Sequence, residues 1–334
     1  MLILKFIFDY NNLEYFRAYM SKELKSWLLL LLLSCIWGSS FILMNKGLYA
    51  SDKTPVFSYE QVGALRMLIA SITLSPFAFY NLRKVTNYKL LFGLLIVGFS
   101  GNFIPAFLFP FAQTGLSSGY AGMLNSFTPI FTVLLGFIIY GIKLTQHQMI
   151  GMFIGTIGIV LLMLAGKQLS ISGEWIHIFA IVTATLLYAL SINTIKNSLQ
   201  SLKAIEISSL AFLFLLIPSA TAIYFTGTIE TLKYNQHAGE SLIYISILSI
   251  FGTTMAVLLF NVIIKNSSAI FASSVTYFIP VVAVIIGFFF EEKISWLQVG
   301  AMCVVLVGVF IINRGDQLIA RYRNKNNLLK SNDS

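Results

Sequence analysis

The chain has 334 residues, 57% of them hydrophobic and only 10% charged, with a formal net charge of +9. Soluble domains of this size carry about a quarter charged residues, so a water-exposed globular fold is excluded and the apolar excess must face lipid. The basic excess would suggest nucleic acid in a soluble protein. Here no basic run is interleaved with aromatics, and Lys and Arg gather at the ends of apolar runs and in the tails. The expected partner on these grounds is the lipid bilayer, with no nucleic acid.

Residues 1–25 are read as a cytoplasmic N-terminal segment. Its opening MLILKFIF is too short to span a bilayer, polar residues follow it, and it lacks a small-residue cleavage site. It is either translated from a start codon upstream of the native one near Met20 or forms a short interfacial helix. Apolar spans then follow at about 27–49, 59–80, 89–111, 117–140, 145–165, 174–195, 206–226, 241–264, 268–290 and 295–313, each long enough to cross about 30 Å of hydrocarbon. The spacing predicts an all-α integral membrane protein of ten transmembrane helices. The connections are short, so neighbours run antiparallel. Residues 314–334 form a basic tail.

Of the 22 Lys and Arg residues, sixteen fall on one side if both termini are cytoplasmic and five on the other. The positive-inside rule therefore puts both termini in the cytoplasm of a multi-pass inner (plasma) membrane protein. Trp27, Trp175 and Trp296 sit at span ends, as an interfacial belt predicts. Cys35 and Cys303 lie inside apolar spans and are read as packing residues, without disulfide or metal. No cofactor is implied. The oligomeric state is left as monomer or homodimer.

The two halves align. Gly101–Gly136 matches Gly252–Gly287 without a gap at an offset of 151, pairing Ala121 with Ala272 and Pro129 with Pro280. Beyond that the offset becomes 150, and Lys143-Leu-Thr meets Lys293-Ile-Ser, Gln148 meets Gln298, and Gly158 meets Gly308. The units are 26–166 and 173–313, joined by the polar stretch near 166–174. Five spans per half is an odd number, so the second half enters the membrane from the opposite side. Inverted repeats are an arrangement of many secondary transporters, with a midplane site exposed alternately to either face.

Trp37-Gly-Ser-Ser-Phe in the first span, together with Pro280, Gly287, Glu292-Lys-Ile-Ser, Gly300 and Gly308 in the second half, resembles the EamA branch of the drug/metabolite transporter superfamily over about residues 26–313. That resemblance implies two inverted five-helix repeats and a permease moving metabolites or amino acids across the inner membrane, usually as export. The first half departs from the pattern, with Gly141-Ile142 where a Glu is expected. Any role for Glu292 is therefore not duplicated.

Polar groups inside a membrane need partners and so face a cavity or the bundle interior. Substrate-binding candidates are Trp37 and Ser40 in span 1, Arg66 in span 2, Asn102 in span 3, Asn125 and Thr128 in span 4, Thr254 in span 8, and Thr276 and Tyr277 in span 9. Asn125, Thr128 and Thr132 would share one helical face. The alternative for each Ser or Thr is a bond to its own helix carbonyl. Arg66, the only basic residue well inside a span, either snorkels to the outer interface, meets an anionic group of the substrate, or pairs with Glu60. Gly151-x-x-x-Gly155 is expected to pack against a neighbouring helix. No Asp or Glu sits near a span centre, so any ion coupling is expected to run without a buried carboxylate.

The expected function is a secondary transporter for amino-acid-like or carboxylate solutes, working by alternating access as an exporter. A membrane sensor or receptor without transport is the alternative. An intramembrane enzyme is set aside: the chain has no H-E-x-x-H, no G-x-S-x-G and no mid-span His to activate a nucleophile.

Overall fold

The computed structural model describes residues 22–165, 174–279, 282, 286, 295–297, 299–308 and 310–312. Pro280, Gly287, Glu291, Glu292 and Lys293, the segment 1–21 and the tail from 313 lie outside the described residues. Within them the chain is helical from α1 to α11. The first five are α1 (Lys22–Leu48), α2 (Tyr59–Asn81), α3 (Tyr88–Gln113), α4 (Ser118–Tyr140) and α5 (Gln146–Ala165). The remainder are α6 (Glu174–Ser198), α7 (Ala204–Phe225), α8 (Thr228–Tyr234), α9 (Ala238–Asn266), α10 (Ala269–Ile279) and α11 (Val299–Ile312). Seven of these, in α1–α4, α6, α7 and α9, are long and apolar enough to cross a membrane.

Local chemistry sets the boundaries. Ser58 closes a reciprocal capping box with Gln61 at the start of α2, and Asn87 accepts the Leu90 amide at the start of α3. Gly141 ends α4 at φ 64°, a left-handed conformation that suits a residue without Cβ. The caps also carry the repeat. Ser117 caps α4 by accepting from the Tyr120 amide, and Ser268, 151 residues on, caps α10 by accepting from the Phe271 amide. Periodicity misses the short helix α8. Gln61 ties that region to α2, donating to the Thr226 carbonyl and to Thr231 Oγ1, both at 2.9 Å.

Three helices are irregular inside. Phe99–Phe103 of α3 and Leu248–Met255 of α9 are π-helical, and Asn125–Phe127 of α4 is a tighter 3-10 turn. The single helical face expected for Asn125, Thr128 and Thr132 is therefore interrupted. Asn125 and Thr128 stay together, whereas Thr132 is buried, bonds its hydroxyl to the Thr128 carbonyl and offers its own carbonyl to Asn193.

Lipid is as apolar as Leu, so burial of apolar surface does not by itself hold such helices together; close packing and interhelical hydrogen bonds do. The α5–α11 crossing brings backbone against backbone. A Cβ on Gly308 would lie 2.5 Å from the Gly155 amide nitrogen and 2.7 Å from the Gly151 carbonyl oxygen, and one on Gly158 would meet the Val305 nitrogen at 2.6 Å. The small-residue motif of α5 packs within the chain, as its spacing predicts.

Two apolar clusters sit at opposite ends of the bundle. One gathers Leu48, Val56, Phe57, Leu116, Tyr120 and Ile245. The other gathers Leu30, Leu90, Leu199, Leu202, Ile264 and Ala269. Trp175 and Trp296 are exposed, and Trp27 packs edge-on against Phe271 and Phe278. Cys35 and Cys303 are not packing residues. Both are free and exposed on the outer surface of the helices, because their positions fall on the lipid-facing side.

Candidate functional site

Between the two clusters lies a partly open cavity. Of the nine candidates, Trp37, Ser40, Arg66, Asn102, Asn125, Thr128 and Thr276 line it together. Thr254 and Tyr277 do not. Thr254 is buried with its hydroxyl unpartnered, and its neighbour Thr253 takes the cavity position instead. Thr254 lies within the π-helical segment, which changes which residue faces inward relative to an α-helical reading. Tyr277 is 1% exposed and packs against Ile130 and Val305. The α10 helix turns at Ser274, which sends the next residues to a different face.

The cavity wall is built twice. Lining residues recur at the offset of 151: Trp37 with Tyr188, Ser40 with Ser191, Phe41 with Ile192, Met44 with Ile195, Asn102 with Thr253, Phe109 with Phe260, Asn125 with Thr276, and Thr128 with Ile279. Contacts between the halves are reciprocal. Trp37 of α1 meets Phe260 of α9 at 5.0 Å between ring centroids, and Tyr188 of α6 stacks on Phe109 of α3 at 5.8 Å and 23°. A Cβ on Gly252 would lie 2.6 Å from Ser40 Oγ, and one on Gly101 would collide with Ser191 Oγ. When residue i of one unit meets j of the other, and j of the first meets i of the second, the units are related by a two-fold axis.

Each π-helical segment is stabilised the same way. Asn102 Nδ2 donates to the Val97 carbonyl at 3.1 Å and Thr253 Oγ1 to the Leu248 carbonyl at 3.3 Å, both five residues back. A π-helix widens the turn and disturbs the i→i−4 ladder, and these side chains satisfy carbonyls there. The Trp37-Gly-Ser-Ser run now has a physical role. Trp37 Nε1 donates to the Gly252 carbonyl at 3.0 Å. Gly38 allows α1 to approach Val282, whose Cβ would be 2.7 Å from an added Cβ. Ser40 fits against Gly252, and Ser39 bonds its own helix at the Ile36 carbonyl.

Arg66 breaks the symmetry. Its Nε donates to Thr253 Oγ1 across the halves at 2.7 Å. It is 9% exposed, so it does not snorkel, and Glu60 is engaged by the Ser58 hydroxyl at 2.6 Å rather than by Arg66. Among the described residues no carboxylate pairs with it and none lines the cavity. Counting from the two N-cap residues, Arg66 stands eight residues beyond Ser58, and the residue eight beyond Lys203 is Ala211. The cavity thus carries one guanidinium without a counterpart in the other half. No cluster of potential metal ligands occurs among the described residues.

Tyr188 and Ser191 of α6, with Phe109 of α3 and Phe260 of α9, are lining residues that the sequence reading passed over, having taken no candidate from α6. The signal was present: the 151 offset applied to Trp37 and Ser40 leads directly to Tyr188 and Ser191.

Comparison with known proteins agrees with this doubled construction. The model of the EamA-like transporter family matches residues 24–164 and again 175–314. An uncharacterized inner membrane transporter of Escherichia coli (strain K12), YedA, is 23% identical over 288 residues, covering 85% of this chain and 89% of its own. An uncharacterized transporter of Bacillus subtilis (strain 168), YdfC, is 25% identical over 281 residues, 81% of this chain and 82% of its own. A Salmonella typhimurium protein named "Probable amino-acid metabolite efflux pump" is 28% identical over 152 residues, 45% of this chain and 47% of its own. A protein crystal structure with 13% sequence identity superposes with TM-score 0.60, covering 89% of this chain and 99% of that one, and so shares its fold.

Proposed function

The chain belongs to the EamA-like transporter family, and on that premise we propose that it is a secondary transporter exporting amino-acid-like or carboxylate solutes by alternating access. It does so as ten transmembrane helices in two inverted five-helix repeats, in the inner membrane, with both termini cytoplasmic. The observation that carries this reading is the two-fold cavity wall with a single unpaired cation. Symmetry explains how one site can face either side: exchanging the conformations of two equivalent halves converts one access state into the other. The asymmetry supplies chemistry, because an unneutralised guanidinium in a low-dielectric cavity favours an anionic group on the ligand. Names of relatives support the direction and class, one being named "Probable amino-acid metabolite efflux pump" and one an uncharacterized inner membrane transporter.

Untargeted metabolomics inside and outside cells tests it, comparing overexpressed protein, Arg66→Ala at matched membrane level and a vector control. A small set of related carboxylate solutes should accumulate outside only with the unmodified protein. No change in any solute, or equal export by Arg66→Ala, would count against the proposal, the first against transport and the second against the site.

A further inference from the structure

Most polar groups in the cavity wall are already engaged. Ser40 bonds the Ile36 carbonyl, Asn102 the Val97 carbonyl, Thr128 the Asn125 carbonyl and Thr276 the Ser273 carbonyl. Two residues of α6 differ. Tyr188 and Ser191 also line the cavity, and among the described residues neither hydroxyl is tied to a helix carbonyl or a neighbouring side chain. They stand three residues apart, on one face of the helix. Arg66 uses only its Nε among the described residues, leaving the terminal guanidinium nitrogens without a protein partner, and it lines the same cavity as Tyr188. The Tyr188 ring is held by its stack on Phe109, and Ser191 occupies space that exists only because residue 101 is glycine.

We propose that Arg66, Tyr188 and Ser191 form one binding site for a single carboxylate, contacted from both halves, with Tyr188 and Ser191 setting specificity. Charge and donor count argue for this ligand. One guanidinium neutralises one negative charge, whereas a doubly charged phosphate ester would leave a buried excess and a cation would meet a like charge. A carboxylate accepts up to about four hydrogen bonds, and the guanidinium fork with two hydroxyls supplies donors of that kind. Cationic amino acids and carboxyl-blocked analogues are therefore discriminated against. The inference deepens the transport reading but concerns binding, so it can be tested apart from flux.

The test uses the full chain purified into lipid nanodiscs, with its unfolding midpoint titrated against 4-methylpentanoate and against 4-methylpentanamide, which has the same shape without the charge. The carboxylate should stabilise the protein and the amide should not. Tyr188→Phe should raise the half-saturating carboxylate concentration about tenfold and Ser191→Ala about threefold, as loss of a hydrogen bond to a charged group and of a weaker one. Protection by neither compound, equal protection by both, or no change in half-saturation with either variant would overturn the proposal. If the carboxylate effects appear while cells export no carboxylate solute, the anion site stands and the transport reading falls. Export without carboxylate-selective protection would do the reverse.

Discussion

The two walls of the cavity are built from the same plan and differ in what they leave unsatisfied. On the α1 side, Trp37 gives its N–H to the Gly252 carbonyl and Ser40 bonds its own helix. On the α6 side, Tyr188 and Ser191 occupy the equivalent positions with hydroxyls not tied to their own helix, and Arg66, the one buried cation among the described residues, uses a single nitrogen. Shared backbone features, the π-helical turns and their glycines, make the room. Departures from the repeat at side chains such as Arg66 are where the proposed recognition resides. A transporter built on a duplicated unit can then change its substrate without changing how it moves.

The largest effect expected from disturbing this division is at its sharpest asymmetry. Arg66→Ala should lower kcat/KM for a carboxylate substrate about 100-fold, about 2.7 kcal/mol, in proteoliposome flux, with little loss of stability because no buried carboxylate is left without its partner. Next come the paired glycines. Gly101→Ala and Gly252→Ala each drive a Cβ into a serine of the other half, and each should cost about 1–3 kcal/mol of stability by thermal unfolding in nanodiscs. Both should also slow flux; if only one does, the shared contacts are not equivalent in use.

A smaller difference separates Asn102→Ala from Thr253→Val. Each leaves a π-helical carbonyl without its side-chain donor, a loss of about 1 kcal/mol. Thr253→Val also removes the acceptor of Arg66 Nε, so it alone should raise KM, by several fold. Trp37→Phe gives up one hydrogen bond to Gly252, about 1 kcal/mol in the unfolding midpoint, and should leave carboxylate-over-amide selectivity intact. The smallest effect is at Thr254, whose buried hydroxyl has no partner. Thr254→Val should be within about 0.5 kcal/mol of the unmodified protein, in contrast to Thr253→Val beside it.

Much of the architecture could be read from the chain. Apolar runs marked the seven helices long and apolar enough to cross a membrane, and the 151-residue agreement pointed to the repeat because glycines and a proline held at fixed spacing record backbone geometry. Arg66, Asn125 and Trp37 stood out because polar or large aromatic groups at depth are costly without a purpose. What failed was phase. A π-helical turn at Leu248–Met255 and a turn at Ser274 follow from tertiary packing, so the reading selected Thr254 where the fold presents Thr253, and added Tyr277 to the correctly chosen Thr276. Tyr188 was missed for a different reason. A tyrosine in an apolar run is unremarked until its two-fold mate is known.

The hydrogen bond from Trp37 to Gly252 joins residues 215 positions apart in the chain, and Arg66 reaches Thr253 across 187. These bonds have a consequence for biogenesis. As the polypeptide leaves the ribosome and enters the bilayer, α2 carries a guanidinium whose resting partner has yet to be synthesised. Until α9 is inserted, that charge must be sheltered by water, lipid headgroups or a helper protein. The moment of greatest exposure in this molecule's life thus falls during its own assembly.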